Sequence, residues 1–271
     1  MRSAVTISLV PEARGGPFVF WSDLAAGCAK AAALGFDAVE VFPRSPRELD
    51  TGQLQRLLAQ HELKLAAMGT GAGWVTHKLR LTDPDADTRR RARDFVGTII
   101  DLAGGLGAPA IIGSMQGRWE GGVSRDQALD WLGEALEELA PRAEAHGVPL
   151  LFEPLNRYET NVLNRIDESM AFLKKLRSQN VRLLCDLFHM NIEEPGIADA
   201  LRLAGPRLGH IHFVDSNRHA IGFGHTEIAP ITQALRQIGY AGYLSAEVLP
   251  MPDSDAAAAQ SIKAFRQFTS A

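Results

Sequence analysis

Two cysteines, Cys28 and Cys185, are all that the chain contains, which excludes a disulfide framework and any zinc ribbon built from paired thiolates. Such a sequence suits a reducing compartment, and the cytoplasm is the expected location. Positive charge is not in excess either: 28 Lys and Arg stand against 32 Asp and Glu, so the chain lacks the basic surface that nucleic acid or an anionic membrane requires. Long apolar runs are missing. The stretch from Met1 to Val10 is too short for an export signal, and no segment reaches the roughly eighteen residues of a membrane span. What the chain does have is core-forming material, since 46% of its 271 residues are hydrophobic. That is enough for one large interior, and residues 1–271 are read as a single domain.

Eight short apolar, β-rich runs recur along the chain: Ala4–Val10, Phe36–Phe42, Lys64–Thr70, Pro109–Ser114, Pro149–Leu155, Val181–His189, Leu208–Asp215 and Gly242–Leu249. Helical patterns separate them. The clearest covers Asp126–His146, where Leu129, Leu132, Leu136, Leu139 and Ala143 make one apolar stripe at spacings of three and four. Gly35, Gly107, Gly147 and Gly239 each stand just before a strand, as left-handed residues that end a helix do. The Ala-rich stretch Ala256–Ala259 opens the last helix. Strict βα alternation with near-continuous apolar strands predicts a parallel sheet covered by helices, and eight units predict closure into a (β/α)8 TIM barrel. A doubly wound open sheet is the competitor, but Val10-Pro11-Glu12-Ala13-Arg14-Gly15-Gly16 is not the Gly-rich phosphate loop that its first turn would carry. Gly71–Pro84 and Asn217–Ala229 are the longer connections and the candidate active-site loops.

In such a barrel the site lies at the C-terminal ends of the strands. Four late strand positions carry residues that packing does not explain: Glu153 after Leu150-Leu151-Phe152, Asp186 after Leu183-Leu184-Cys185, His212 after Gly209-His210-Ile211, and Glu247 after Leu244-Ser245-Ala246. Any one alone reads as a satisfied polar group. All four fall on consecutive strands along one side of the cylinder, and three carboxylates converging there would repel one another without a cation. One imidazole with three carboxylates is a mostly oxygen donor set, which suits one divalent ion, Mn2+ first and Mg2+ or Co2+ as alternatives. His210 is read as supporting the ligands rather than binding, and Cys185 as packing against a helix.

These residues resemble the xylose-isomerase-like barrels, and among them the ketose 3-epimerases of the tagatose and psicose type. Glu153-Pro154-Leu155-Asn156-Arg157-Tyr158-Glu159 is similar to that family's fifth-strand motif, Asp186-Leu187-Phe188-His189-Met190-Asn191 to its sixth, and Gly209-His210-Ile211-His212 with Asn217-Arg218 to its seventh. Ser245-Ala246-Glu247 supplies the last ligand. The resemblance implies that Glu153 and Glu247 act as an acid/base pair that inverts C3 of a ketose through an enediolate, and that Glu159, His189 and Arg218 hold the O1–O2 end of the substrate. It also implies a small sugar or sugar-phosphate substrate, a homo-oligomer, dimer or tetramer, and no organic cofactor, while the charge balance and the missing apolar runs argue against a nucleic-acid or membrane partner.

The N-terminal half departs from that pattern. Leu9-Val10-Pro11, Gly113-Ser114-Met115 and Leu249 stand where the epimerases place aromatic walls, with Trp21, Trp74 and Trp119 as candidates to supply them from loops. Ala220-Ile221-Gly222-Phe223-Gly224-His225 reads as a flexible turn at the pocket mouth. The same four ligands also serve an aldose–ketose isomerase, a hydroxypyruvate-type isomerase or an inosose dehydratase. An endonuclease IV-like metallohydrolase would need further histidines where Met68-Gly69-Thr70 and Ile112-Gly113-Ser114 stand, and a non-catalytic carbohydrate-binding protein would not need both glutamates.

Overall fold

A computed structural model, describing residues 1–269, closes the eight predicted units into a barrel. Its strands are β1 (Arg2–Ser8), β2 (Ala38–Phe42), β3 (Lys64–Gly69), β4 (Ala110–Ile112), β5 (Leu150–Phe152), β6 (Val181–Asp186), β7 (Leu208–His212) and β8 (Tyr243–Ala246). Every neighbouring pair is parallel, and β8 returns to β1 in a ladder running from Arg2 opposite Tyr243 to Val5 opposite Ala246. A two-residue strand, Phe20–Trp21, lies alongside Ile7 and Ser8 at the top of β1. Among the described residues no helix is long and apolar enough to cross a membrane.

Strands walled on both faces explain the unbroken apolar runs of the sequence. Outward residues such as Leu150, Phe152, Leu183 and Cys185 join the helices in one large core. The amphipathic helix spans Arg125–Ala145, with the Ser124 hydroxyl accepting a hydrogen bond from the Gln127 amide at 3.2 Å as its N-cap. Leu132, Leu136, Leu139 and Ala143 are fully buried along its stripe, and each Leu so placed stabilises the fold by about 1.5–3 kcal/mol. Gly35, Gly107, Gly147 and Gly239 all adopt the left-handed conformation expected of helix-ending glycines. The last helix, Ser254–Thr269, includes the alanine run.

Inside the barrel the residues form layers. Ala4, Ala38 and Ala66 pack near the N-terminal end, Ala67, Ile111, Leu151 and Leu184 form a second small apolar group, and the carboxylates and histidines lie beyond them.

One predicted boundary is wrong. The run Val181–His189 is not a single strand: β6 stops at Asp186 and a helix, Leu187–Glu193, begins at once. Asp186 makes that turn by accepting hydrogen bonds through Oδ1 from the amides of Phe188 (2.7 Å) and His189 (3.1 Å), which satisfies two otherwise unpaired donors of the new helix. A short buried helix and a short buried strand have the same apolar signature, so periodicity could not separate them.

Candidate active site and metal centre

The four residues singled out at strand ends come together. Ligand atoms of Glu153, Asp186, His212 and Glu247 all lie within 4.8 Å of one another, and all four residues are buried. His212 is at the centre: its Nδ1 is 3.1 Å from Asp186 Oδ2, 3.3 Å from Glu153 Oε1 and 3.5 Å from Glu247 Oε2. Glu153 follows β5 and keeps its amide on the ladder by donating to the Ile112 carbonyl at 2.9 Å. Gly113 leaves room for it, because a Cβ there would sit 2.5 Å from Glu153 Oε2 and would displace the carboxylate.

Sequence reasoning missed the residue that orients His212. Glu40, inward on β2 and fully buried, accepts through Oε1 from His212 Nε2 at 3.1 Å and through Oε2 from His210 Nε2 at 2.7 Å. A proton held on Nε2 of His212 by this carboxylate leaves the lone pair of Nδ1, the nitrogen facing the three acids, available to a metal ion. His210 lies outside the group of Glu153, Asp186, His212 and Glu247 and is tied to His212 through Glu40. The signal was present in the sequence, since Glu40 is a lone acid in the apolar run Ala38-Val39-Glu40-Val41-Phe42.

The electrostatics of the cluster call for a positive charge at its centre. Burial favours the neutral form of Glu247, and Glu153 and Asp186 add to that against His212 and Arg218, so that without a cation its carboxyl is pushed up to about 8. Burial alone would discharge His212, yet Glu247 and Glu40 hold its pKa well above the ordinary histidine value. A proton drawn to this point takes the place that a cation suits better. Burial likewise opposes ionisation of Asp186, but His189, His212 and Arg218 outweigh it and hold the carboxyl well below the usual range. Two buried polar atoms facing the cluster, Glu153 Oε1 and His189 Nε2, have no hydrogen-bond partner. Unpaired donors and acceptors at that depth cost stability unless a ligand completes them, and with three oxygens and one nitrogen the donor set fits a divalent ion.

The residues expected to hold substrate line the same opening. Arg218 donates to Glu159 Oε1 at 3.0 Å and to Glu247 Oε2 at 3.1 Å, and its guanidinium lies 4.9 Å from the centre of the Phe188 ring. Its backbone has a φ of 62°, rare for a side chain-bearing residue and typical of strain kept at working sites. His189, on the helix after β6, shares a 2.7 Å hydrogen bond between its Nδ1 and Asn156 Nδ2, and Asn156 also donates to Glu159 Oε1 at 3.1 Å. Asn156 was not foreseen; it fixes the ring so that Nε2 faces Glu153 at 3.9 Å.

Other expectations change. Of the three tryptophans only Trp74 lines the cavity above the cluster; Trp21 packs edge-on against Phe18, and Trp119 donates from Nε1 to the Asn161 carbonyl. Phe18 and Phe42 supply the aromatic wall instead, with ring centres 4.6 Å apart. The turn Ala220–His225 is not loose. Asp215 Oδ2 accepts from the amides of Gly222 (2.8 Å) and Gly224 (2.9 Å), while Oδ1 accepts from Ser216 (2.7 Å) and Thr226 (2.9 Å). Of the connection Asn217–Ala229, Arg218 alone among the described residues reaches the cavity.

Comparison with known proteins agrees with the geometry. A family model described as the xylose isomerase-like TIM barrel matches residues 28–268. An L-ribulose 3-epimerase of Methylomonas sp. is 32% identical over 243 residues, covering 86% of this chain and 83% of the relative. A D-psicose 3-epimerase of Ruminiclostridium cellulolyticum is 35% identical over 222 residues, 79% and 74% of the two chains. The crystal structure of a D-allulose 3-epimerase from Methylomonas sp. in complex with D-allulose superposes with a TM-score of 0.83 at 27% identity, covering 99% and 98%. With its barrel closed, its acids and histidines gathered at the strand ends and these relatives across most of its length, the chain belongs to the xylose isomerase-like TIM barrel family and is an isomerase-type enzyme.

Proposed function

We propose that the protein is a metal-dependent ketose 3-epimerase, in which Glu153, Asp186, His212 and Glu247 hold one divalent ion, Mn2+ first, and Glu153 and Glu247 exchange the C3 proton. One observation carries this reading: Glu153 and Glu247 come from β5 and β8, the outer strands of the arc that bears the cluster, so they approach the cavity from its two sides, and both line it while each keeps a carboxylate oxygen in the group of ligand atoms. A substrate carbon between them has an acid on each face. One carboxylate takes the proton from C3 and the other returns a proton to the opposite side, which inverts the centre. The divalent ion, when bound, supplies positive charge against the negative charge that develops on the substrate's oxygens.

The chain's own residues do the rest. Arg218, joined to both Glu159 and Glu247, offers N–H donors to the O1–O2 end and adds a fixed positive charge beside the developing enediolate. His189 presents its unpartnered Nε2 at the same end, and Asn156 keeps that ring from turning. Ligation would keep Glu247 ionised, and thus competent as a base, where burial alone favours its protonated form.

The test is turnover of free ketohexoses and ketopentoses with added Mn2+ in deuterated water. The expected result is interconversion of C3 epimers with deuterium entering at C3. An aldose product labelled at C2 would point to aldose–ketose isomerisation on the same residues, and no exchange with any ketose would end the epimerase reading.

A further inference from the structure

The cavity above the cluster is larger than a single hexose needs. It is a cleft, half open to solvent, of about 750 Å3, several times the volume of one free ketohexose and well within the range of drug-sized sites. Only one end of it is chemical: Glu153, His189, Arg218 and Glu247 line the side over β5–β8. The remainder extends over β1–β4, where the floor is made of Gly69, Thr70, Gly71, Ala72, Gly113 and Ser114. The room beside Gly69 and Gly113 is taken by the Phe42 ring and the Glu153 carboxylate, but Gly71, Ala72 and Ser114 put no bulky side chain into the cavity, and an added Cβ at Gly71 meets only Ser114 Oγ at 3.5 Å.

That space has a definite chemistry. Val10, Phe42 and Ala72 form one apolar cluster with Phe18 and Val75 packed against it, and Trp74 stands on the same side. The rim is polar but largely self-neutralised: Arg80 pairs with Asp83 and Glu120, Arg118 lies 3.8 Å from Glu120, and Glu12 pairs with Arg44 at 2.8 Å. A phosphate would need uncompensated cations; of the four arginines that line the cavity, Arg80, Arg118 and Arg218 each lie within 4.0 Å of a carboxylate, which leaves Arg14 as the one without such a pair among the described residues. An uncharged ring with an apolar C–H face and a fringe of hydroxyls suits aromatic walls below paired charges.

We infer that the preferred substrate is a ketose extended, at the end remote from its reacting carbons, by a second uncharged sugar ring. This rests on the epimerase reading above for the reacting end and on the β1–β4 compartment for the rest. The reaction is unchanged by the extension, since the second ring only lengthens the group anchored away from C3.

The experiment compares fructose, 6-O-glucosyl-fructose and fructose 6-phosphate with the Mn2+-loaded enzyme, measuring C3 exchange and, by calorimetry, binding. The expected kcat/KM for the disaccharide is at least tenfold above that for fructose, with the phosphate no better than fructose. Gly71→Leu supplies the second arm: Gly71 has an ordinary helical backbone, and an added Cβ meets only Ser114 Oγ at 3.5 Å, so the new side chain fills the compartment without straining the chain. It should lower kcat/KM for the disaccharide at least tenfold more than for fructose. Preference for fructose or for its phosphate, or an equal loss on both sugars in Gly71→Leu, overturns the inference while leaving the epimerase reading intact. Exchange with none of the three but tighter binding of the disaccharide than of fructose would retain the compartment and sink the epimerase reading; binding of none would sink both.

Discussion

At the scale of single residues, the cluster is an argument about protons. The pKa of Glu247 is raised by burial and by the neighbouring acids, and that of His212 by the carboxylates around it. A cation entering between them displaces protons, because carboxylates bind it ionised and imidazole binds it neutral. Affinity for Mn2+ is therefore expected to rise between pH 6 and pH 8, with protons released on binding; calorimetry in buffers of different ionisation enthalpy reads both, and a flat pH dependence would count against the arrangement. Glu40 acts through His212. Glu40→Gln is expected to weaken metal affinity by about 10–100-fold, the usual effect of losing a carboxylate behind a ligating histidine, while a thermal melt of the metal-free variant checks that the barrel still folds. The four strand-end residues could be read from the sequence because each is an expensive side chain at the end of an apolar run. Glu40 carries the same signal in mid-strand, where attention to strand ends passes over it, and its partners lie 170 and 172 residues away.

At the scale of elements, capping does more than end helices. Asp186 uses one oxygen to start the helix that carries His189 and presents the other to His212, so the position of a site residue is fixed by an N-cap. Asp215 does the same for the turn beyond β7, and its four amide donors outweigh the burial that opposes its charge, holding the carboxyl below the ordinary aspartate range. A carboxyl depressed in the folded state contributes stability that is present above its unfolded pKa, about 4, and is lost as pH falls through the lower folded value. Asp215→Ala is expected to destabilise the protein by about 1–3 kcal/mol by taking the shared acceptor from four part-buried amides. Melts from pH 5 down to pH 3 should show the parent losing more stability than Asp215→Asn, and parallel losses would contradict this role. The helix-ending glycines were legible because only a left-handed residue fits there. The helix after β6 was not, since Leu187-Phe188 continues an apolar run that a buried strand would also show.

At the scale of the whole molecule, the alternation of eight apolar runs with helical stripes was sufficient to specify a closed parallel barrel, and closure is what turns four distant strand ends into one arc. The half of the cavity over β1–β4 was far less legible. Its wall comes from Phe18 and Phe42, the first on the connection between β1 and β2, and its floor from small residues such as Gly71, Ala72 and Ser114. Neither periodicity nor motif spacing reports such a space. The central claim remains that Glu153, Asp186, His212 and Glu247 share one cation. Calorimetric titration of chelator-treated protein with Mn2+ tests it most directly, set beside Asp186→Ala and His212→Ala. One equivalent per chain in the parent and at least a hundredfold weaker binding in both variants is the expected result; no binding by the parent, or binding that survives both substitutions unchanged, would contradict it.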